Sequence, residues 1–146
     1  MKSDANNAYT GKPDLLIYGG TFDPPHAGHQ HCIHMALDAF PDSRILVLPG
    51  GSPAGVAGNH KVPGAGFRHR SEMCRLSFKP FLDGDRLRIS GLEATLPAPN
   101  FTVSTLSLLK SRYPDKNLGF MMGDDQWVNF AHWKGPVDIL KKVSLM

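Results

Sequence analysis

A segment of eleven residues rich in glycine and histidine, residues 19–29, lies between an apolar run and a stretch with helical periodicity. It reads Gly-Gly-Thr-Phe-Asp-Pro-Pro-His-Ala-Gly-His and directly follows the apolar residues 15–18. A short apolar run that ends in such a turn predicts a buried strand, and the residues after the turn predict a helix. Parallel α/β sheets bind phosphate groups where a strand, a glycine turn and a helix N-terminus meet. The segment therefore predicts both a fold class and an anion-binding site.

The rest of the chain alternates short apolar runs with segments of helical period, which predicts an α/β fold with a parallel sheet. We expect strands at residues 15–18, 44–48, 87–89, 118–122 and 143–146. We expect helices at about residues 28–39, 67–78, 102–112 and 136–142. Thr102 is the expected N-cap of the third helix, and a further turn toward helix is expected at residues 123–125.

Composition predicts one domain over residues 14–146, preceded by a polar tail at residues 1–13. The net charge of +3 and the pI near 9.0 suit anionic small molecules. Because the basic residues are scattered and no apolar run approaches the ~20 residues of a membrane span, we expect neither a nucleic acid nor a membrane partner. Cys32 and Cys74 are far apart, so no disulfide framework is expected and a cytoplasmic location fits.

His26 and His29 are the candidate anion ligands of the glycine-rich segment. Their spacing of three residues places both rings on one side of the first helical turn. Asp23, followed by proline, is expected to fix the turn by accepting hydrogen bonds from nearby backbone N–H groups. Neighbouring glycines would let the backbone approach the ligand; these are Gly19, Gly20 and Gly28.

A metal site is the alternative interpretation of the histidines, because His26, His29, His31 and His34 crowd one stretch. His29 and His31, however, are two residues apart and face different sides of a helix. No carboxylate or cysteine completes a tetrahedral set there. We therefore predict no metal ligands in this segment.

Taken as a whole, residues 19–29 resemble the signature of the HxGH nucleotidyltransferase superfamily, in which two histidines face the phosphates of ATP. Further segments resemble bacterial nicotinate-nucleotide adenylyltransferases. Residues 97–106 are similar to that family's Pro-x-(Pro)-Ser-Tyr-Thr-x-x-Thr-Leu segment, with Asn100 and Phe101 in place of Ser and Tyr. The other similar segments are a Gly-x-Asp and Trp-Lys pair, a His-Lys loop and an Arg-x-x-Met helix start; they lie at residues 122–125 with 133–134, 59–61 and 70–73.

The resemblance implies a Rossmann-like, doubly wound parallel sheet that transfers the adenylyl group of ATP to nicotinate mononucleotide in NAD biosynthesis. His26 and His29 would be the catalytic residues, and Mg²⁺ would arrive with ATP. Thr102 and Trp133 would form the mononucleotide pocket. The implied ATP-binding residues are Gly19, Gly20, Thr21, Phe22, His26, His29, Lys61, Gly123 and Asp125.

The family's sequence continues beyond the point that matches Met146, with an Ile-Ser-x-Thr-x-Ile-Arg segment that binds the β- and γ-phosphates. We therefore expect this domain to be C-terminally incomplete. Two alternatives stay open: a truncated, non-catalytic nucleotide-binding domain of the same superfamily, or an adenylyltransferase for another acceptor such as nicotinamide mononucleotide or phosphopantetheine. His26 argues against phosphopantetheine, because that family usually has threonine at this position. The sequence indicates no oligomeric state.

Overall fold

The computed structural model, which describes residues 12–51 and 63–146, contains five strands that pair into one fully parallel sheet. The strands are β1 (Leu15–Gly20), β2 (Arg44–Pro49), β3 (Leu87–Ile89), β4 (Leu118–Met121) and β5 (Val143–Leu145). Their spatial order is β3-β2-β1-β4-β5. Each strand lies within two residues of its predicted position, and the prediction of an α/β parallel sheet is confirmed.

Helices connect the strands and cover both faces of the sheet. They are α1 (Ala27–Ala39), α2 (Phe67–Ser77), α3 (Lys79–Leu82), α4 (Thr102–Arg112), α5 (Asp124–Asn129) and α6 (Pro136–Lys142), with 3₁₀ turns at Leu92–Thr95 and Phe130–His132. Helix α3 and the 3₁₀ turns were not predicted, because one turn of helix is too short to show a periodic pattern. The prediction of Thr102 as an N-cap was wrong: Phe101 is the last extended residue, with φ −103° and ψ 136°, so Thr102 is already helical.

Side chains that alternate along β1 divide the apolar core into two layers. Leu16 and Tyr18 pack with residues of α1 and α2, including Ile33 and Cys74. Ile17 points to the opposite face, where the core residues of α4 and α6 are Leu106, Leu109 and Ile139. Helices on both faces make the sheet doubly wound, as the resemblance implied.

The direction of winding reverses between β1 and β4. The chain runs outward from β1 to β2 and β3, and then crosses the sheet to form β4 and β5 on the other side of β1. Tyr18 of β1 is paired with Met121 of β4, so the segments that follow these two strands leave the same edge of the sheet side by side. Ligands of open α/β sheets bind in the crevice at such a reversal point. The predicted N-terminal tail, apart from residues 12–13, and Lys61 lie outside the described residues.

Candidate active site

His26 and His29 cap the N-terminus of α1 reciprocally. His26 is the N-cap, with extended φ of −144° and ψ of 179°, and its Nδ1 accepts the Gly28 backbone N–H at 3.1 Å. The Nδ1 of His29 accepts the backbone N–H of His26 at 3.0 Å. The two imidazole rings consequently stack, with centroids 3.8 Å apart and 26° between their planes. The structure therefore brings the two candidate ligands together on one side of the first turn, as their spacing predicts.

These hydrogen bonds define what the two rings offer to a ligand. Because each Nδ1 accepts a backbone N–H, the neutral form of each ring carries its proton on Nε2. Burial, together with the neighbouring His26, lowers the pKa of His29 from 6.5 to about 4, so His29 is neutral at pH 7. The first turn of α1 contains no acidic residue that would neutralise the positive end of the helix dipole. The site thus presents N–H donors suited to phosphate oxygens.

The Phe22 side chain packs against His29. Its ring is only 2% exposed and lies 4.8 Å, centroid to centroid, from the His29 ring and 5.9 Å from Phe78. A Cβ at Gly20 would lie 3.0 Å from the Phe22 ring, so glycine leaves the space that the ring occupies. The backbone of Phe22 is left-handed, with φ of 52°, which turns the chain between β1 and α1. The side chain of Phe22 therefore belongs to the core, and only its backbone is available to a ligand.

Asp23 does not fix its own turn, and the prediction of a local role was wrong. Its Oδ2 accepts backbone N–H groups of Gly64 at 2.7 Å and Ala65 at 3.2 Å, 41 and 42 residues further along the chain. The two residues that follow Asp23 are prolines and have no N–H to donate. The carboxylate consequently joins the β1 turn to the segment that leads into α2.

Arg70 of α2 is fully buried beside this turn, with 1% of its surface exposed. Its Nη1 donates to the Thr21 carbonyl at 2.9 Å, its Nε to the Ala65 carbonyl at 2.9 Å, and its Nη2 to the Gly51 carbonyl at 3.4 Å. Burial lowers the pKa of Arg70, and the carboxylates of Asp23 and Glu93 oppose that shift. One guanidinium thus connects the segments that follow β1 and β2 with the start of α2.

Arg70 belongs to one of the segments that resemble the family, at residues 70–73, but it was not predicted as a site residue. A signal was present, because Arg70 lies on the buried stripe of α2 that also carries Cys74, with Phe78 just after the helix. An arginine at a core position is rare unless its donors are satisfied. The spacing of four residues between Arg70, Cys74 and Phe78 is therefore the feature that sequence reasoning could have used.

Glu93 forms a second polar contact at this edge of the sheet. Its Oε1 accepts the hydroxyl of Thr105 at 3.1 Å, and the carboxylate also accepts the Gly51 backbone N–H. Burial raises the pKa of Glu93, although these two hydrogen bonds and Arg70 favour its ionised form. Thr105 is 2% exposed and belongs to the first turns of α4. Nothing in the spacing of Glu93 and Thr105, which are 12 residues apart, indicates this pair before the chain folds.

The residues predicted to hold the mononucleotide lie in two segments that contact each other. Thr102 is the first residue of α4 and is half-buried. Trp133 is half-buried, and its ring lies 5.4 Å from that of Phe130 and 6.1 Å from that of Phe120. The neighbours of the two predicted residues meet, because Lys134 Nζ lies 4.3 Å from the centroid of the ring of Phe101.

The remaining predicted ligands follow β1 and β4. Gly19 and Gly20 are the last two residues of β1, and Thr21 comes next. Gly123 precedes α5 and donates its N–H to Gln126 Oε1 at 3.4 Å, while Asp125 lies in the first turn of α5. The structure therefore places these residues at the two sides of the crevice between β1 and β4.

Among residues 12–51 and 63–146, no three His, Cys, Asp or Glu side chains converge where they could bind a metal ion. His31 and His34 are exposed on α1, and His34 Nε2 lies 3.5 Å from Asp38 Oδ2.

Within residues 12–51 and 63–146, no helix combines the length and the apolar character that crossing a membrane requires.

The sheet order, with a helix capped by two stacked histidines at the reversal point, defines a Rossmann-like α/β domain. The chain belongs to the cytidylyltransferase-like family, whose model matches residues 17–146.

Curated relatives are similar over most of this chain. It is 35% identical over 126 residues to a probable nicotinate-nucleotide adenylyltransferase of Chlorobium luteolum, covering 86% of this chain and 62% of the relative. A protein of the same name from Thermomicrobium roseum is 35% identical over 122 residues, covering 84% of this chain and 54% of the relative. The chain thus spans less than two thirds of the length of these relatives. The resemblance to nicotinate-nucleotide adenylyltransferases is confirmed.

Solved structures share the fold at lower identity. A Vibrio parahaemolyticus protein assigned as a nicotinate-nucleotide adenylyltransferase superposes with a TM-score of 0.72 and 22% identity, covering 90% of this chain and 74% of that one. The Plasmodium falciparum nicotinic acid mononucleotide adenylyltransferase complexed with NaAD gives a TM-score of 0.69 and 20% identity, covering 86% of this chain and 58% of that one. At these identities, the likeness shows the fold.

Proposed function

We propose that this chain transfers the adenylyl group of ATP to nicotinate mononucleotide, giving nicotinate adenine dinucleotide and pyrophosphate. The observation that carries the proposal is the reciprocal capping of His26 and His29 at the N-terminus of α1. Family membership and the names of the relatives support the choice of reaction and acceptor. The domain that performs it would be residues 14–146, in the cytoplasm.

The reaction needs no protein nucleophile. A phosphate oxygen of the mononucleotide attacks the α-phosphorus of ATP and forms the new P–O bond. The bond between the α-phosphorus and the bridging oxygen breaks, and its electron pair leaves with pyrophosphate. Because phosphoryl chemistry of this kind depends on positioning and on neutralising negative charge, the protein's task is to supply fixed donors.

His26 and His29 would supply those donors through Nε2–H, with each ring held in place by its Nδ1 hydrogen bond. A neutral His29 can donate to a phosphate without becoming charged, and the α1 dipole adds favourable potential. Lys61 would contribute a positive charge. Gly19, Gly20 and the backbone of Thr21 and Phe22 would line the phosphates, and Gly123 with Asp125 would hold the ribose.

Mg²⁺ carried by the triphosphate would neutralise part of the charge on the leaving group. Mg²⁺ is commonly bound through substrate phosphates and water with few protein carboxylates, and the described residues contain no preformed cluster of carboxylates. The donor set of this site is thus compatible with a metal that enters with the nucleotide.

Thr102 and Trp133 would bind the pyridine end of the acceptor. Aromatic contacts with Phe120 and Phe130 hold the Trp133 ring, and a fixed ring of this kind can stack on a pyridine. Thr102 at the start of α4 offers a hydroxyl and sits beside the first backbone N–H groups of the helix. These groups are suited to the carboxylate of nicotinate.

Pyrophosphate release tests the proposal. The chain is incubated with ATP, Mg²⁺ and nicotinate mononucleotide, and parallel reactions contain nicotinamide mononucleotide or phosphopantetheine. We expect turnover with nicotinate mononucleotide and formation of its dinucleotide by mass spectrometry. Retained ATP binding without turnover on any acceptor would show instead a non-catalytic nucleotide-binding domain, and turnover only with another acceptor would identify a different transferase.

A further inference from the structure

We propose that Arg70 and Glu93 are positioning residues. They would hold the loop after β1, residues 21–26, which is proposed to bind the phosphates, in one fixed arrangement with α4, which is proposed to bind the mononucleotide. This inference rests on the proposed function, because it assigns the two ends of a hydrogen-bond chain to two substrates. Neither side chain needs to touch a substrate. The chain runs from Thr21 through Arg70, Gly51 and Glu93 to Thr105.

The first half of the chain depends on the shape of the Arg70 guanidinium. It donates to the carbonyls of Thr21 and Gly51, which are 49 and 19 residues away in sequence, and to the carbonyl of Ala65, five residues before it. The planar fork of arginine can reach three acceptors in fixed directions, whereas the ammonium of lysine is a compact charge on a flexible stem. Since Arg70 is 1% exposed, water cannot replace a donor that loses its acceptor. Lysine at this position would therefore loosen the loop that precedes the histidines.

Gly51 is the link between the two halves. Its carbonyl accepts from Arg70, and its N–H donates to the Glu93 carboxylate. A Cβ at this position would lie 2.4 Å from the Glu93 carbonyl oxygen and 2.7 Å from Asn100 Oδ1. The backbone after β2 is thus packed directly against the segment that leads to α4, and it leaves little space for the two to move separately.

The second half ends on the acceptor side. Glu93 accepts the hydroxyl of Thr105 at 3.1 Å, and Thr105 lies one helical turn after Thr102. A displacement of Glu93 would therefore shift the turn of α4 that carries the proposed mononucleotide ligand. In-line transfer requires the attacking oxygen and the α-phosphorus to approach closely, and a misplacement of about 1 Å can reduce the rate about 100-fold.

The test uses Arg70→Lys and Thr105→Val, with Arg86→Lys as the matched control. Arg86 also donates to several backbone carbonyls, those of Leu37, Phe40 and Ser43, but these lie at the opposite, amino-terminal edge of the sheet. The kcat and the KM for each nucleotide are measured together with Tm. We expect Thr105→Val to raise the KM for ATP and Arg70→Lys to raise the KM for the mononucleotide, each about tenfold, as for modest misplacement. Arg86→Lys should lower Tm and leave both KM values unchanged.

A double variant separates coupling from local damage. If the hydrogen-bond chain couples the positions of the loop and of α4, the double variant Arg70→Lys with Thr105→Val loses less activity than the product of the single losses. The reason is that either change alone already breaks the connection. The inference is overturned if each single variant alters only the KM of its adjacent substrate. It is also overturned if Arg86→Lys raises the KM values as much as the other two variants at an equal loss of Tm. If the wild-type chain binds ATP without turnover, the proposed enzymatic function is refuted instead. The coupling is then tested by measuring the ATP affinity of Thr105→Val by calorimetry, and an affinity equal to that of the wild type would contradict it. A wild-type chain that does not bind ATP refutes both.

Discussion

The His29 side chain accepts the backbone N–H of His26, while the His26 side chain accepts the N–H of Gly28. Each imidazole therefore has one nitrogen committed to the helix start and one nitrogen that can donate. The relationship is not symmetric, because the His29 side chain is hydrogen-bonded to the backbone of His26, whereas the His26 side chain is hydrogen-bonded to the backbone of Gly28. Loss of His29 should consequently misplace His26, whereas loss of His26 removes a donor and a cap.

Replacement of His26 should affect catalysis more than stability. His26→Ala removes the N-cap, which costs about 1 kcal/mol of stability. The same change removes a proposed transition-state donor, and the loss of one such donor reduces kcat about 100-fold or more. We would measure kcat by pyrophosphate release and stability by urea unfolding. His34→Ala, an exposed histidine on the same helix, is the control and should retain both values. Equal kcat values for the two variants would contradict the assigned role of His26.

Acid should weaken the fold through His29. The pKa of His29 is about 4 in the folded chain and 6.5 ordinarily, so the unfolded chain binds the proton more tightly. The contribution of His29 to the free energy of unfolding is therefore fully present above pH 6.5 and is lost as the pH decreases from 6.5 toward 4. Urea unfolding at several pH values measures this slope. His29→Asn, which keeps an acceptor but does not titrate, should flatten the slope in that window, and an unchanged slope would show that other groups cause it.

Gly51 and Gly66 form a matched pair for testing the packing after β2. A Cβ at Gly51 would meet the backbone oxygen of Glu93, whereas a Cβ at Gly66 would have nothing within 4 Å. We expect Gly51→Ala to lower the free energy of unfolding by about 1–3 kcal/mol, because the backbone must shift to relieve the overlap. Gly66→Ala, at the N-cap of α2, should remain within about 1 kcal/mol of wild type. Urea unfolding of both variants measures the difference, and similar values for the two would contradict the close packing at Gly51.

Tryptophan fluorescence should report binding of the acceptor. The chain has two tryptophans, of which Trp133 is half-buried among aromatic rings and Trp127 is 59% exposed. If the pyridine ring stacks on Trp133, nicotinate mononucleotide quenches the wild type and Trp127→Phe, and most of the quenching disappears in Trp133→Phe. The KM for the mononucleotide should rise only in Trp133→Phe. Quenching that persists in Trp133→Phe would place the acceptor elsewhere.

Sequence periodicity was sufficient to predict all five strands and the main helices. The strands are short continuous apolar runs, as expected for a parallel sheet covered on both faces, and the main helices have apolar residues at helical spacing. The position of both histidines on one side of the first turn of α1 was also predicted, since a spacing of three residues is a local property, but their stacking was not. The partners of Asp23, Arg70 and Glu93 were not. Apart from the bond of Arg70 to Ala65, five residues away, their hydrogen bonds join residues 12 to 49 positions apart, and only the folded sheet brings those residues together.

Helix α1 begins directly after His26, the residue proposed to bind phosphate, so ligand binding at His26 should also stabilise the start of the helix. A ligand that binds only the folded state stabilises that state by mass action. An anion that fixes the His26 ring would also fix the acceptor of the Gly28 N–H, and thus the first turn of the helix. Slower amide hydrogen exchange at this turn should therefore report nucleotide binding directly, and the measurement does not require catalytic turnover.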